Sequence, residues 1–120
     1  MNHTILIVDD DLDIREALAD VLGDNGYVVF AAGNGLEALT YLRTNPAPSM
    51  ILLDWMMPKC NGAQFRAQQL EDPILATIPV VLLTADVHLE DKTKQLGAHA
   101  YLAKPVSLEH LLEVVARVCG

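Results

Sequence analysis

Ile5-Leu6-Ile7-Val8-Asp9-Asp10-Asp11 is the stretch on which the fold turns. Four apolar residues, three of them β-branched, run straight into three acids. A run this short and uniformly apolar reads as a strand covered on both faces, because a strand with one wet face would alternate. Working outward, similar runs recur at Tyr27–Ala31, Met50–Leu53, Val80–Leu83 and Ala100–Ala103.

The segments between these runs follow a helical period. In the first, Ile14, Leu18, Val21 and Leu22 share a face, while Arg15, Glu16 and Asp20 look outward. Asp11 and Asp13 fit the turn and cap positions at its entry. A second helix is expected from Asn34, with Glu37 as a reciprocal cap, stopping before Pro46-Ala47-Pro48. A third runs from Gly62 to Glu71 and ends near Asp72-Pro73. A fourth is expected from His88 to Leu96, with Gly97 as its C-terminal cap. Its only large apolar residues are Leu89 and Leu96, so the sequence predicts weak anchoring and movement there. The last carries the stripe Leu108, Leu111, Leu112, Val115 and Val118, with Ser107 as cap. Five strands alternating with five helices predict an α/β fold: a flavodoxin-like doubly wound parallel sheet of order 2-1-3-4-5.

Composition narrows the function. A chain of 120 residues with 52% hydrophobic content supports one core. Eight basic against sixteen acidic residues leave a net charge of −8, which opposes nonspecific contact with nucleic acid or anionic membrane. No apolar run approaches a membrane span and no leader pattern opens the chain. Cys60 and Cys119 form no metal or redox pair and are read as reduced thiols in a cytoplasmic protein. The four histidines lack zinc-ligand spacing.

The strand ends carry the chemistry. Strand 1 ends in Asp9-Asp10, strand 3 in Asp54, strand 4 in Thr84 and strand 5 in Lys104. Parallel strands place these ends on one edge, and the switch point lies between strands 1 and 3. Like charges about 4 Å apart at an effective dielectric of about 20 repel by about 4 kcal/mol per pair. Lys104 offsets part of this, and a hard divalent cation such as magnesium fits the remainder. Taken singly, each acid could be a turn residue, Thr84 a strand-end threonine and Lys104 a solvated lysine. Their coincidence at matching ends of one sheet carries the functional reading.

These motifs resemble the receiver domain of two-component response regulators. The resemblance rests on Ile5–Asp11, on Leu52-Leu53-Asp54-Trp55-Met56-Met57-Pro58 with Gly62, on Pro79–Ala85, and on Ala100-Tyr101-Leu102-Ala103-Lys104-Pro105. It spans residues 1–120 as one domain with no output domain, closest to stand-alone regulators of the chemotaxis type. The resemblance implies that Asp54 accepts phosphate from a phosphohistidine on a sensor kinase or phosphotransfer protein. It implies that Asp10, Asp54 and the Met56 backbone carbonyl bind magnesium, with Asp9 acting through a water. Lys104 and Thr84 would hold the phosphoryl group. Tyr101 would be the switch aromatic, with the surface of the fourth helix, fifth strand and fifth helix read by a downstream protein. Lys104–Pro105 would be cis. Such a chain is no enzyme in the usual sense, since it assists only its own phosphorylation and dephosphorylation. It is expected to be a monomer or a phosphorylation-dependent dimer. Met56 and Asp86 depart from common family patterns and border the path of a hydrolysing water, so they are read as tuning positions.

Other motifs in the chain point elsewhere. Gly33-x-Gly35-x-x-Ala38 imitates a dinucleotide fingerprint but follows strand 2 rather than strand 1. The Asp9, Asp11, Asp13 alternation lacks the glycine and glutamate of a calcium loop. A magnesium-dependent aspartyl phosphatase would want threonine where Asp13 stands. A receiver-like scaffold working without phosphorylation is the non-catalytic alternative.

Overall fold

The computed structural model describes residues 3–55, 62–85 and 97–119. Five strands form one parallel sheet: β1 Thr4–Val8, β2 Val28–Ala32, β3 Met50–Asp54, β4 Val80–Thr84 and β5 Ala100–Ala103. Their spatial order is β2-β1-β3-β4-β5, as the alternation of patterns predicts. Four helices lie among the described residues: α1 Leu12–Asp24, α2 Gly35–Thr44, α3 Gly62–Glu71 and α4 Leu108–Cys119. The helix expected over 88–96 falls outside the described residues. A short 3-10 turn at Leu75–Thr77, which the periodicity does not predict, joins α3 to β4.

The three inner strands are apolar because both of their faces are covered. Leu6, Val8, Ile51, Leu53, Val80 and Leu82 face a core that α2 and α3 close. Ile5, Ile7, Met50, Leu52, Val81 and Leu83 face the core closed by α1 and α4. The expectation of two-sided burial fails for β2. It is an edge strand, and Val28 and Phe30 remain exposed, Phe30 stacking on Tyr41 of α2 with ring centroids 5.2 Å apart. Leu108, placed on the buried stripe by its spacing, is 51% exposed in the first turn of α4, and Val114 is buried instead.

The helix ends follow side-chain chemistry. Asp11 caps α1, its Oδ1 accepting from the N–H groups of Asp13 and Ile14. Asn34 caps α2 through the Glu37 N–H. The reciprocal bond from Glu37 falls one residue earlier than expected, on the Gly33 N–H. α3 has almost no apolar stripe. It buries Phe65 together with two polar side chains, Arg66 and Gln69. Gln69 Nε2 donates to the carbonyls of Leu75 at 2.8 Å and Ile78 at 3.2 Å. Arg66 donates to Gln69 Oε1 at 2.8 Å and to the Gly97 carbonyl at 3.3 Å. Directional bonds therefore hold this helix where its neighbours rely on hydrocarbon.

Candidate functional site

The sheet register builds the site. Val8 pairs with Leu53, so one step further along the strands Asp9 stands beside Asp54. The backbone ladder continues past the strand ends at that point. The Asp9 N–H donates to Ala32 O, Trp55 N–H to Leu83 O and Lys104 N–H to Thr84 O. Each side chain of interest thus leaves a backbone that is pinned on the neighbouring strand.

The side chains converge as the sequence predicts. Lys104 Nζ lies 2.9 Å from Asp9 Oδ2 and 3.3 Å from Asp54 Oδ1. One carboxylate oxygen each of Asp9, Asp10 and Asp54 lies within 4.8 Å of the others. Asp9 and Asp54 are buried, and Asp10 is exposed. At 4.8 Å and an effective dielectric of about 20, each like-charge pair costs about 3 kcal/mol. Among the described residues, the Lys104 ammonium faces three carboxylates, so this group of side chains is net negative. The donor set is all oxygen and anionic, which suits a hard divalent cation with retained waters.

Lys104 carries opposing influences. Burial disfavours its charge, but the hydrogen bond it donates to Asp9 and the charges of Asp54 and Asp9 outweigh that, so its pKa lies above the ordinary 10.5. The Lys104–Pro105 peptide is cis. Thr84 is buried at the end of β4, and a cleft of roughly 260 Å³ runs between Asp9, Asp10, Asp54, Thr84, Ala85 and Lys104. Gly62 packs against the backbone that follows Asp54: its N–H donates to Trp55 O, and a Cβ there would stand 3.0 Å from the Asp54 carbonyl oxygen.

Tyr101 is half-buried against the core under α2 and α3. It pairs in register with Leu82, two positions before Thr84, so alternation puts Tyr101 and Thr84 on one sheet face. Met56 and Asp86 lie outside the described residues. Sequence reasoning missed Arg15. It was expected to look outward, yet its Nη1 donates to the Asp9 carbonyl at 2.9 Å. Its place one turn beyond the acidic run was the available signal.

This fold with this cluster defines a class. The response regulator receiver domain family model matches residues 5–116, and the chain belongs to that family. Among its relatives, the phosphate regulon transcriptional regulatory protein PhoB of Escherichia coli is 39% identical over 120 residues, covering 98% of this chain and 51% of PhoB. Sporulation initiation phosphotransferase F of Bacillus subtilis is 34% identical over 119 residues, covering 98% of this chain and 94% of that protein. The chain therefore spans about half the length of some curated relatives and nearly all of another. The solved chemotaxis response regulator CheY4 of Vibrio cholerae superposes with a TM-score of 0.90 at 32% identity, over 98% of this chain and 99% of that one. No helix among the described residues is long and apolar enough to cross a membrane.

Proposed function

We propose that the chain is a phospho-accepting signalling switch, with Asp54 as the acceptor. The observation that carries this is the Lys104 ammonium set between the Asp9 and Asp54 carboxylates, with the Asp10 carboxylate within the same cluster. An Asp54 oxygen bonds to phosphorus as the phosphorus–nitrogen bond of a phosphohistidine breaks, and the departing imidazole takes the electron pair. Lys104 pairs with the negative charge that gathers on the phosphoryl oxygens, and the Thr84 hydroxyl donates to one of them. Asp10 and Asp54, with Asp9 behind a water and the Met56 carbonyl, would hold magnesium, which when bound supplies charge neutralisation at the phosphoryl group.

The acyl phosphate adds charge and acceptor oxygens at the cleft. Drawing Thr84 toward it frees space on the sheet face that Tyr101 shares, and Tyr101 turns inward. That biases the surface around β5 and α4, which a downstream protein reads. The donor is a sensor histidine kinase or a histidine phosphotransfer protein, and the setting is the cytoplasm.

Intact-mass spectrometry after incubation with acetyl phosphate tests this. One phosphate is expected on the wild type, only with magnesium, and none on Asp54→Asn. Phosphate on Asp54→Asn, or none on the wild type with magnesium, refutes the reading. Multiple turnover on small phosphoesters would move it to a phosphatase.

A further inference from the structure

Asp9 is held at every polar atom. Its N–H donates to the Ala32 carbonyl at 3.2 Å. Its Oδ1 accepts from the Asp11 N–H and its Oδ2 from Lys104, both at 2.9 Å. Its carbonyl oxygen accepts from Arg15 Nη1 at 2.9 Å. The last of these reaches beyond Asp9. That carbonyl and the Asp10 N–H belong to a single planar peptide group, so gripping the oxygen fixes the plane from which the Asp10 side chain leaves. Asp10 is exposed, and its direction toward Asp54 depends on the backbone behind it.

The guanidinium needs room to reach this carbonyl, and Gly33 provides it. A Cβ on Gly33 would stand 3.0 Å from Arg15 Nη1 and 3.2 Å from Glu37 Oε2. Gly33 has no positive φ, so its value here lies in the missing side chain rather than in backbone freedom. The β2–α2 turn therefore touches the acidic pair through one arginine, although Gly33 itself contributes no atom to the cleft lining.

We propose that Arg15 is a positioning residue for the cation site: its grip on the Asp9 carbonyl sets the Asp10 carboxylate against Asp54, and Gly33 leaves the guanidinium its space. The proposal rests on the reading of Asp9, Asp10 and Asp54 as a magnesium site. Support around ligands commonly shifts metal affinity by an order of magnitude or more. Arg15 acts here through the peptide and touches no reacting atom.

The test is a magnesium titration of the full chain, followed by the fluorescence of Trp55, its single tryptophan and the neighbour of Asp54. Arg15→Ala is expected to weaken magnesium about ten-fold. Gly33→Ala leaves every site side chain in place and is expected to weaken it less, in the same direction. In the Arg15→Ala background, Gly33→Ala should add nothing, because the side chain it displaces is gone. Wild-type affinity in Arg15→Ala overturns the proposal. So does a Gly33→Ala effect that persists without Arg15, since it would then run through Glu37 and the α2 cap. Failure of the wild type to bind magnesium overturns the metal reading itself, and is distinguished from failure of the arginine's role by appearing before any substitution.

Discussion

Replacing Lys104 with methionine keeps most of the stem and removes the charge between two buried carboxylates. At 2.9 and 3.3 Å and an effective dielectric of about 20, its gross attractions to Asp9 and Asp54 are about 6 and about 5 kcal/mol. Desolvation cancels most of that, and loss of one partner from a buried pair costs about 3–5 kcal/mol. Lys104 keeps 20% of its side chain exposed and Asp9 retains the Asp11 N–H, so the lower end applies, about 3 kcal/mol. For a domain of this size that is a fall in Tm of about 10 °C. Urea unfolding of Lys104→Met and wild type, in chelator and in saturating magnesium, measures it. The deficit should shrink with magnesium, because a dication in the same cluster takes over part of the neutralisation. A deficit under about 0.5 kcal/mol in chelator would show that the carboxylates do not depend on the ammonium. A deficit larger with magnesium than without it would show that the two cations do not share the cluster.

Because the Lys104 pKa is raised on folding, its contribution is fully present from neutral pH up to the ordinary lysine value of 10.5 and is lost as pH climbs through the native value. Wild type and Lys104→Met should therefore converge in stability above pH 10.5, and a constant gap in that range would count against the pairing. Asp11→Ala removes the α1 cap and should cost about 1 kcal/mol in urea unfolding. Gln69→Leu takes the side-chain donor from the Ile78 carbonyl and leaves Leu75 O only the Ile78 N–H, and should cost about 1–3 kcal/mol, despite the apolar replacement. Met56→Asn should shorten the lifetime of the acyl phosphate by helping to place a hydrolysing water; unchanged or slower decay in a phosphate-release assay rejects that role.

Much of the fold was legible because buried strands need unbroken apolar runs. All five strands fall where such runs stand, to within one residue at either end, β2 being shifted as a whole by one residue. What an apolar run does not reveal is which strand lies at an edge, and Phe30 shows the consequence. The convergence of Asp9, Asp10, Asp54, Thr84 and Lys104 was legible because parallel strands share a carboxyl edge and the order of strands sets their neighbours. Arg15, Arg66 and Gln69 were not legible. Arginine and glutamine on a helix look like a solvated face until another segment brings carbonyls to them, and those carbonyls come from Asp9, Gly97, Leu75 and Ile78.

A helix resting on an oily stripe tolerates small slides and rotations, since one hydrocarbon contact replaces another at little cost. α3 lacks that slack. The Gln69 amide meets two oxygens in fixed directions, and at its other end the helix abuts the peptide of Asp54 through Gly62. It is keyed like a bolt in a lock, fastened at one end to the segment that leads into β4 and at the other to the backbone that bears the Asp54 carboxylate.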